Sequence, residues 1–193
     1  MSSREHILSR IKKHKPQLIE LPDLSVFAHE INTEKLVNDF INTSTTNAST
    51  VVNMIGQSIN FDTYIPLFIA ENFGDNAITY TPLNSSNKEI LDFKSNHIDV
   101  FVTQPQIAVA ENGCMWIHDK QMQQRIAAFA SEHTLFIVDH KTIVPTMHQA
   151  YKALQINAHG YGVFIAGPSK TADIEQSLVI GAQGAVSNTV ILV

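Results

Sequence analysis

Apolar positions change their rhythm along the chain, and the changes mark its elements. Over residues 4–13, Ile7, Leu8 and Ile11 recur at helical intervals among charged neighbours, which predicts a helix with one apolar side. Pro16 and Pro22 interrupt that pattern, so residues 1–33 read as an N-terminal helical arm that docks on the body. A second helix is expected over 34–41, with Leu36, Val37, Phe40 and Ile41 as its apolar face and Thr33 as its N-cap. The stretch N-T-S-T-T-N-A-S-T, 42–50, reads as a polar connector.

Beyond it the chain alternates. Short β-branched or aromatic runs (S-T-V-V-N-M, A-I-T-Y, D-V-F-V-T, L-F-I-V-D, V-F-I-A and T-V-I-L-V) are separated by helix-compatible pieces at 64–73, 121–131, 146–155 and 171–180. That order implies βαβ units, hence an α/β fold of three layers: a mostly parallel sheet with helices on both faces. One part departs from it. In I-A-V-A-E-N-G-C-M-W-I, 107–117, two apolar runs flank Asn112-Gly113, the strongest short signal for a small antiparallel hairpin.

Composition narrows the class of protein. An apolar fraction of 44% with 16% charged residues in 193 positions suits a globular domain that buries a core. The net charge of −5 argues against nucleic acid, whose affinity rests on many Lys and Arg contacts to phosphate. Cys114 is the sole cysteine, which excludes an intramolecular disulfide, a thiolate zinc site and a cysteine-ligated iron–sulfur cluster within the chain. The charged start lacks the core of a secretion signal, and no apolar run suits a membrane span, so a cytoplasmic location is the expectation. His133 and His140 bracket an apolar strand at an odd separation, on opposite faces, and suggest no shared metal.

The densest special chemistry lies in G-P-S-K-T-A-D-I-E, 167–175. The glycines of G162-V-F-I-A-G167-P-S-K-T fail as a phosphate loop. Pro168 and Ser169 separate the second glycine from Lys170, and the four residues between the glycines read as a strand. Gly160-Tyr161-Gly162 fails as a dinucleotide fingerprint because it precedes a strand and opens no helix. A strand, a Gly-Pro turn and a helix start remain. Ser169 or Thr171 is the expected N-cap, with Asp173 and Glu175 in the first turn. The loop is expected at a strand's carboxyl end, where parallel sheets bind ligands. There Gly167, Pro168, Ser169, Lys170 and Thr171 would contact a ligand, and Asp173 or Glu175 would serve as general base or hard-metal ligand.

The same stretch, continued to Gly184, resembles the C-terminal signature of the lactate-utilisation protein C family, the LUD domain. I-V-P-T-M, 143–147, is similar to that family's I-V-P-T-L, and I-A-V-A-E-N-G-C, 107–114, to its F-A-I-A-E-T-G-T. The three segments in order extend the resemblance over residues 98–193. It implies a LUD-type α/β domain over 34–193, related to sugar-phosphate isomerases (NagB/RpiA) and CoA transferases. It further implies a role in bacterial oxidation of L-lactate to pyruvate beside iron–sulfur oxidoreductase subunits. On that view the chain holds no cofactor of its own, and the clusters belong to the partners. A homo-oligomer is compatible with the sequence. Here Glu111-Asn112-Gly113-Cys114 stands where the family has Glu-Thr-Gly-Thr, an amide and a thiol in place of two hydroxyls.

Two other readings compete. A-E-N-G also resembles the S-E-N-G of CoA transferases, which makes Glu111 a candidate nucleophile, with Asn112, Gly113 and Cys114 beside the ligand. No glycine-rich G-x-G-G-F loop accompanies it. Alternatively the chain is a non-catalytic subunit that docks on its partners and senses a small carboxylate through Ser169 or Lys170. In each case the site is expected where the Glu111 turn meets the loop at 169–175.

Overall fold

The computed structural model describes residues 2–17, 19, 20, 22, 23, 33–83, 97–154, 160–174 and 177–193, without side-chain detail from 172 to 178. The chain forms two compact units, Met1–Glu30 and Ile31–Val193. The first carries helix α1, Ser3–Lys13. Ser2 and Glu5 close a reciprocal capping box at its start, and Arg10, Lys12 and Lys13 complement the dipole at its end. Ile7, Leu8 and Ile11 are all exposed on it.

The second unit is built on five parallel strands. They are β1 (Ser49–Asn53), β2 (Thr79–Tyr80), β3 (Val100–Thr103), β6 (His133–Val138) and β11 (Ser187–Leu192), in the order β1-β11-β6-β3-β2. Alternate residues divide their side chains between two cores. Val100, Val102, Leu135, Ile137 and Ile191 pack on one face with Ile69 of helix α3, Phe61–Phe73. Phe101, Phe136, Val138, Val190 and Leu192 pack on the other, with Leu36, Val37 and Phe40 of helix α2, Thr33–Thr46. The sheet is therefore flanked by helices, as the alternation of elements implies.

A second sheet joins the α2 side. Its strands are β4 (Ile107–Val109), β5 (Met115–His118), β7 (Ile143–Val144) and β8 (Gly162–Ile165), ordered β7-β4-β5-β8. The expected hairpin is present, with Ile107 opposite Trp116 and Ala108 opposite Met115. The run V-F-I-A behaves differently from expectation: β8 lies antiparallel to β5 and never enters the parallel sheet. Gly162 permits this, because a Cβ there would stand 2.2 Å from the Trp116 ring. The outer face of the second sheet packs on Ala150 of helix α6, Met147–Ala153.

Three local expectations are corrected. The polar stretch at 42–50 is not a connector, because α2 runs through it to Thr46, and Thr33 is a helical residue rather than the cap. Thr45 and Thr46 turn their hydroxyls back on the carbonyls of Ile41 and Asn42, both at 2.8 Å, which satisfies them within the helix. The single helix expected at 121–131 is two short ones, α4 (Asp119–Met122) and α5 (Ala127–Ala130), broken where Gln123 takes φ +52°. The helix expected at 171–180 is a β-hairpin. Strands β9 (Lys170–Ile174) and β10 (Ser177–Ile180) pair antiparallel. Ser169 accounts for this: its N–H donates to Ala185 O and its carbonyl accepts from Gly181 N, both at 2.8 Å. That anchor joins the two ends of the hairpin side by side, a geometry that a helix over 171–180 does not permit.

Candidate functional site

The Glu111 turn closes the β4–β5 hairpin. Gly113 sits at φ +66°, and its N–H reaches back to Val109 O at 2.9 Å. A Cβ on Gly113 would meet the backbone nitrogen of Ser44 in α2 at 2.9 Å, so only glycine allows the turn to lie this close to the helix. Asn112 Oδ1 accepts from Cys114 N at 3.1 Å, an Asx-type bond within the turn. Thr43 Oγ1 of α2 donates to Ala110 O at 2.8 Å. Glu111 is exposed, yet one carboxylate oxygen accepts from Met147 N at 3.0 Å, at the start of α6. Thr146 caps the same helix end through a capping box with Gln149. Glu111 thus sits at the positive end of a helix, a favourable place for a carboxylate.

The second motif arrives from β8. Gly167 is buried at φ +75°, and a Cβ there would lie 2.3 Å from Asn47 O. Pro168 is buried beside it and Ser169 is half-buried. Lys170 Nζ donates to the same Asn47 carbonyl at 2.6 Å, which places its cation at the C-terminal end of α2. The Asn47 side chain completes the link, its Nδ2 donating to Asn112 O at 2.7 Å. One asparagine therefore joins the Glu111 turn to the Gly167–Lys170 loop.

Placement of the remaining residues varies. Thr171 is half-buried at the start of the hairpin. Asp173 lies on β9, its side chain outside the described set, and Glu175 is outside the described residues altogether. Asp173 therefore stands on a strand and not in the first turn of a helix. The loop also differs from expectation in its setting. Because β8 belongs to the four-stranded sheet, the loop does not lie at a carboxyl end of the parallel strands. It is tied instead to Asn47, just before β1, and to Ala185, just before β11, both at amino ends.

Cys114 is 5% exposed, and its Sγ lies 3.3 Å from Met147 Sδ. Burial pushes the thiol up from the ordinary value of 9.0 to about 11, with the Asn112 side chain a smaller opposing influence. The folded state holds this thiol neutral. Its contribution to stability is present below pH 9.0 and is lost as the pH rises toward 11. A disulfide reagent such as Ellman's is therefore expected to leave Cys114 unmodified in native protein at pH 8 and to modify it promptly in urea. Fast labelling of the native chain at pH 8 would contradict the burial.

A depression of about 280 Å³ lies beside the turn, lined in part by Asp39, Asn42, Thr43, Glu111 and Pro145. It carries two carboxylates, of which Asp39 pairs with Lys35 at 2.5 Å. Its charge is poorly matched to a small carboxylate. A larger groove of about 590 Å³ lies on the other face of the parallel sheet, between α3 and the β2–β3 edge, and includes none of the motif residues.

A mixed α/β domain with a mostly parallel central sheet, its E-N-G turn and G-P-S-K loop joined through one helix end, defines the class of protein. Residues 21–193 match the LUD domain model, and the chain belongs to that family. It is 34% identical to lactate utilization protein C of Bacillus subtilis (strain 168) over 106 residues, 52% of this chain and 44% of that protein. It is 31% identical to lactate utilization protein C of Oceanobacillus iheyensis over 102 residues, 49% of this chain and 43% of the relative. The aligned stretch thus spans under half of each relative. A solved DUF162 family protein from Deinococcus radiodurans superimposes with a TM-score of 0.63 at 13% identity, over 84% of this chain and 98% of the other. Among the described residues, no helix is long and apolar enough to cross a membrane.

Proposed function

We propose that this chain is a component of a bacterial lactate-utilisation system, acting with iron–sulfur oxidoreductase subunits in the oxidation of L-lactate to pyruvate. The likeness to lactate utilization protein C carries the reading. In that oxidation two electrons and two protons leave the lactate, and the electrons pass to the partners' clusters. This chain supplies no cluster ligand set, since its one cysteine is buried against Met147.

The role that fits the geometry is that of an accessory subunit rather than the seat of the chemistry. The two charged motif residues with described side chains each complete a helix end: Glu111 at the start of α6, Lys170 at the finish of α2. Used in this way they hold a docking surface in shape. A small carboxylate sensed at Ser169 or Lys170, away from the two carboxylates of the depression, belongs to the same proposal, as do a cytoplasmic location and self-association. The test is capture of the partners: affinity purification from cells grown on lactate is expected to bring down iron–sulfur subunits. Recovery of the chain alone would count against it.

The CoA-transferase reading places a covalent acyl group on Glu111. Its carboxylate is already hydrogen-bonded to Met147 N, which lowers its availability as a nucleophile. Glu111→Gln keeps an oxygen for that bond and removes the charge. Lactate-dependent electron transfer is expected to stay within about twofold in this variant, less than about 0.5 kcal/mol of transition-state stabilisation. Glu111→Ala is expected to cost stability, about 0.3–1 kcal/mol, through the lost bond to Met147 N and the lost charge at the start of α6. Loss of activity in Glu111→Gln, or acyl transfer to hydroxylamine mapped to Glu111 by mass spectrometry, would restore the rival.

A further inference from the structure

A cluster at the amino ends of β3 and β6 belongs to none of the motifs. His97 and Asp99 flank the buried Ile98 just before β3, and their side chains meet. Glu132 precedes β6 as Asp99 precedes β3, and the register pairs Val100 with His133, so the two carboxylates stand side by side across adjacent strands. Like charges in that relation repel. Here they turn toward a common point instead. His97 Nε2 lies 3.0 Å from Asp99 Oδ1 and 3.4 Å from Glu132 Oε2, and all three donor atoms fall within 4.8 Å of one another.

The base beneath the cluster is hydrogen-bonded and buried. Glu132 N donates to Ile98 O at 3.1 Å and His133 N to Asp99 O at 2.7 Å, while Ile98 and Val100 are buried. The second oxygen of Asp99 accepts from Ile78 N at 2.6 Å, just before the edge strand β2. That bond fixes the carboxylate from outside, the arrangement that orients a metal-binding carboxylate. Around a tetrahedral ion with bonds of about 2.0–2.1 Å, neighbouring donors stand roughly 3.3–3.4 Å apart, and around an octahedral one about 3.0 Å. The 3.0 Å separation from Asp99 equals the octahedral value and the 3.4 Å one from Glu132 the tetrahedral value. The carboxylate pair lies within 4.8 Å, so small side-chain rotations bring all three onto one ion.

We infer that His97, Asp99 and Glu132 form a divalent transition-metal site. One imidazole nitrogen with two carboxylate oxygens suits zinc or manganese over magnesium or calcium, which favour all-oxygen sets. The His97 ring is well exposed, so water completes the coordination. The ion holds together the two facing carboxylates and, through Asp99 and Ile78, secures the edge strand β2 to β3 and β6. A third donor 35 residues away from the histidine leaves no motif spacing in the sequence.

The test is calorimetric titration of the untagged 193-residue chain with zinc chloride, in parallel with thermal melts. One zinc per chain is expected, with a raised melting temperature that excess magnesium does not reproduce. His97→Ala and Glu132→Gln are each expected to weaken binding by about tenfold or more and to abolish the thermal shift. Both positions are exposed, so the metal-free melts of the variants serve as the check that they fold. Absence of stoichiometric zinc binding by the wild type would overturn the assignment and leave a surface ion pair. So would variants that bind zinc as the wild type does.

Discussion

Gly167→Ala is expected to destabilise the domain by about 2–4 kcal/mol. Two costs combine. Alanine at φ +75° pays the left-handed penalty, and its Cβ would stand 2.3 Å from Asn47 O, a backbone atom that yields only if the end of α2 moves. The same carbonyl accepts Lys170, and the Asn47 side chain holds Asn112, so movement there disturbs both motifs. Gly56 supplies the control: its φ is +80° and a methyl group added there would meet nothing within 4 Å, so Gly56→Ala carries the conformational penalty alone. At roughly 2–4 °C per kcal/mol for a domain of this size, the two variants separate clearly in melting temperature. Equal losses in both would mean that the loop does not press on Asn47.

Phe40→Ala is expected to cost more, about 3–5 kcal/mol. Phe40 is fully buried, and its cluster joins α2 to Phe136 and Val190 of the parallel sheet and to Met115 of the second sheet. Truncation leaves a cavity at the place where three elements meet. Because α2 also carries Thr43 and leads directly into Asn47, the expected consequence extends beyond stability. The amide of Gly113, bonded to Val109 O, should exchange with solvent faster than in the wild type, whereas Leu135 in the opposite core should keep more of its protection. Phe40→Leu, which keeps much of the volume, should lose a fraction of this. A loss under about 1 kcal/mol for the alanine variant would place Phe40 outside the core.

Much of the parallel sheet was legible because its strands announce themselves locally. S-T-V-V-N, D-V-F-V-T, L-F-I-V-D and T-V-I-L-V are β-branched or aromatic runs, and helical intervals between them imply parallel pairing. The same local logic misreads residues whose partners are distant. V-F-I-A announces a strand, but its antiparallel partnership with β5 depends on Gly162 making room for Trp116. T-A-D-I-E reads as a helix start because acidic residues follow hydroxyls; the bonds from Ser169 to Ala185 and Gly181 decide otherwise. The threonines at 43, 45 and 46 look like a connector until their hydroxyls find carbonyl partners.

The candidate site divides in the same way. Its E-N-G turn and G-P-S-K loop stand out as sequence, each with a glycine that the backbone requires at positive φ. Their junction does not, since Asn47 lies 65 residues from Asn112 and 123 from Lys170. Nor does the use of Glu111 as the cap of α6, which depends on a helix 36 residues further on. Motifs mark which residues matter; the fold decides what each one holds.

Lactate-dependent electron transfer in extracts of cells that carry this chain, measured with the chain removed and then restored, tests the account most directly. Removal should abolish reduction of the acceptor by L-lactate, adding back the purified chain should restore it, and the purified chain alone should show no turnover of lactate. Undiminished transfer without the chain, or turnover of lactate by the isolated chain, would contradict the account.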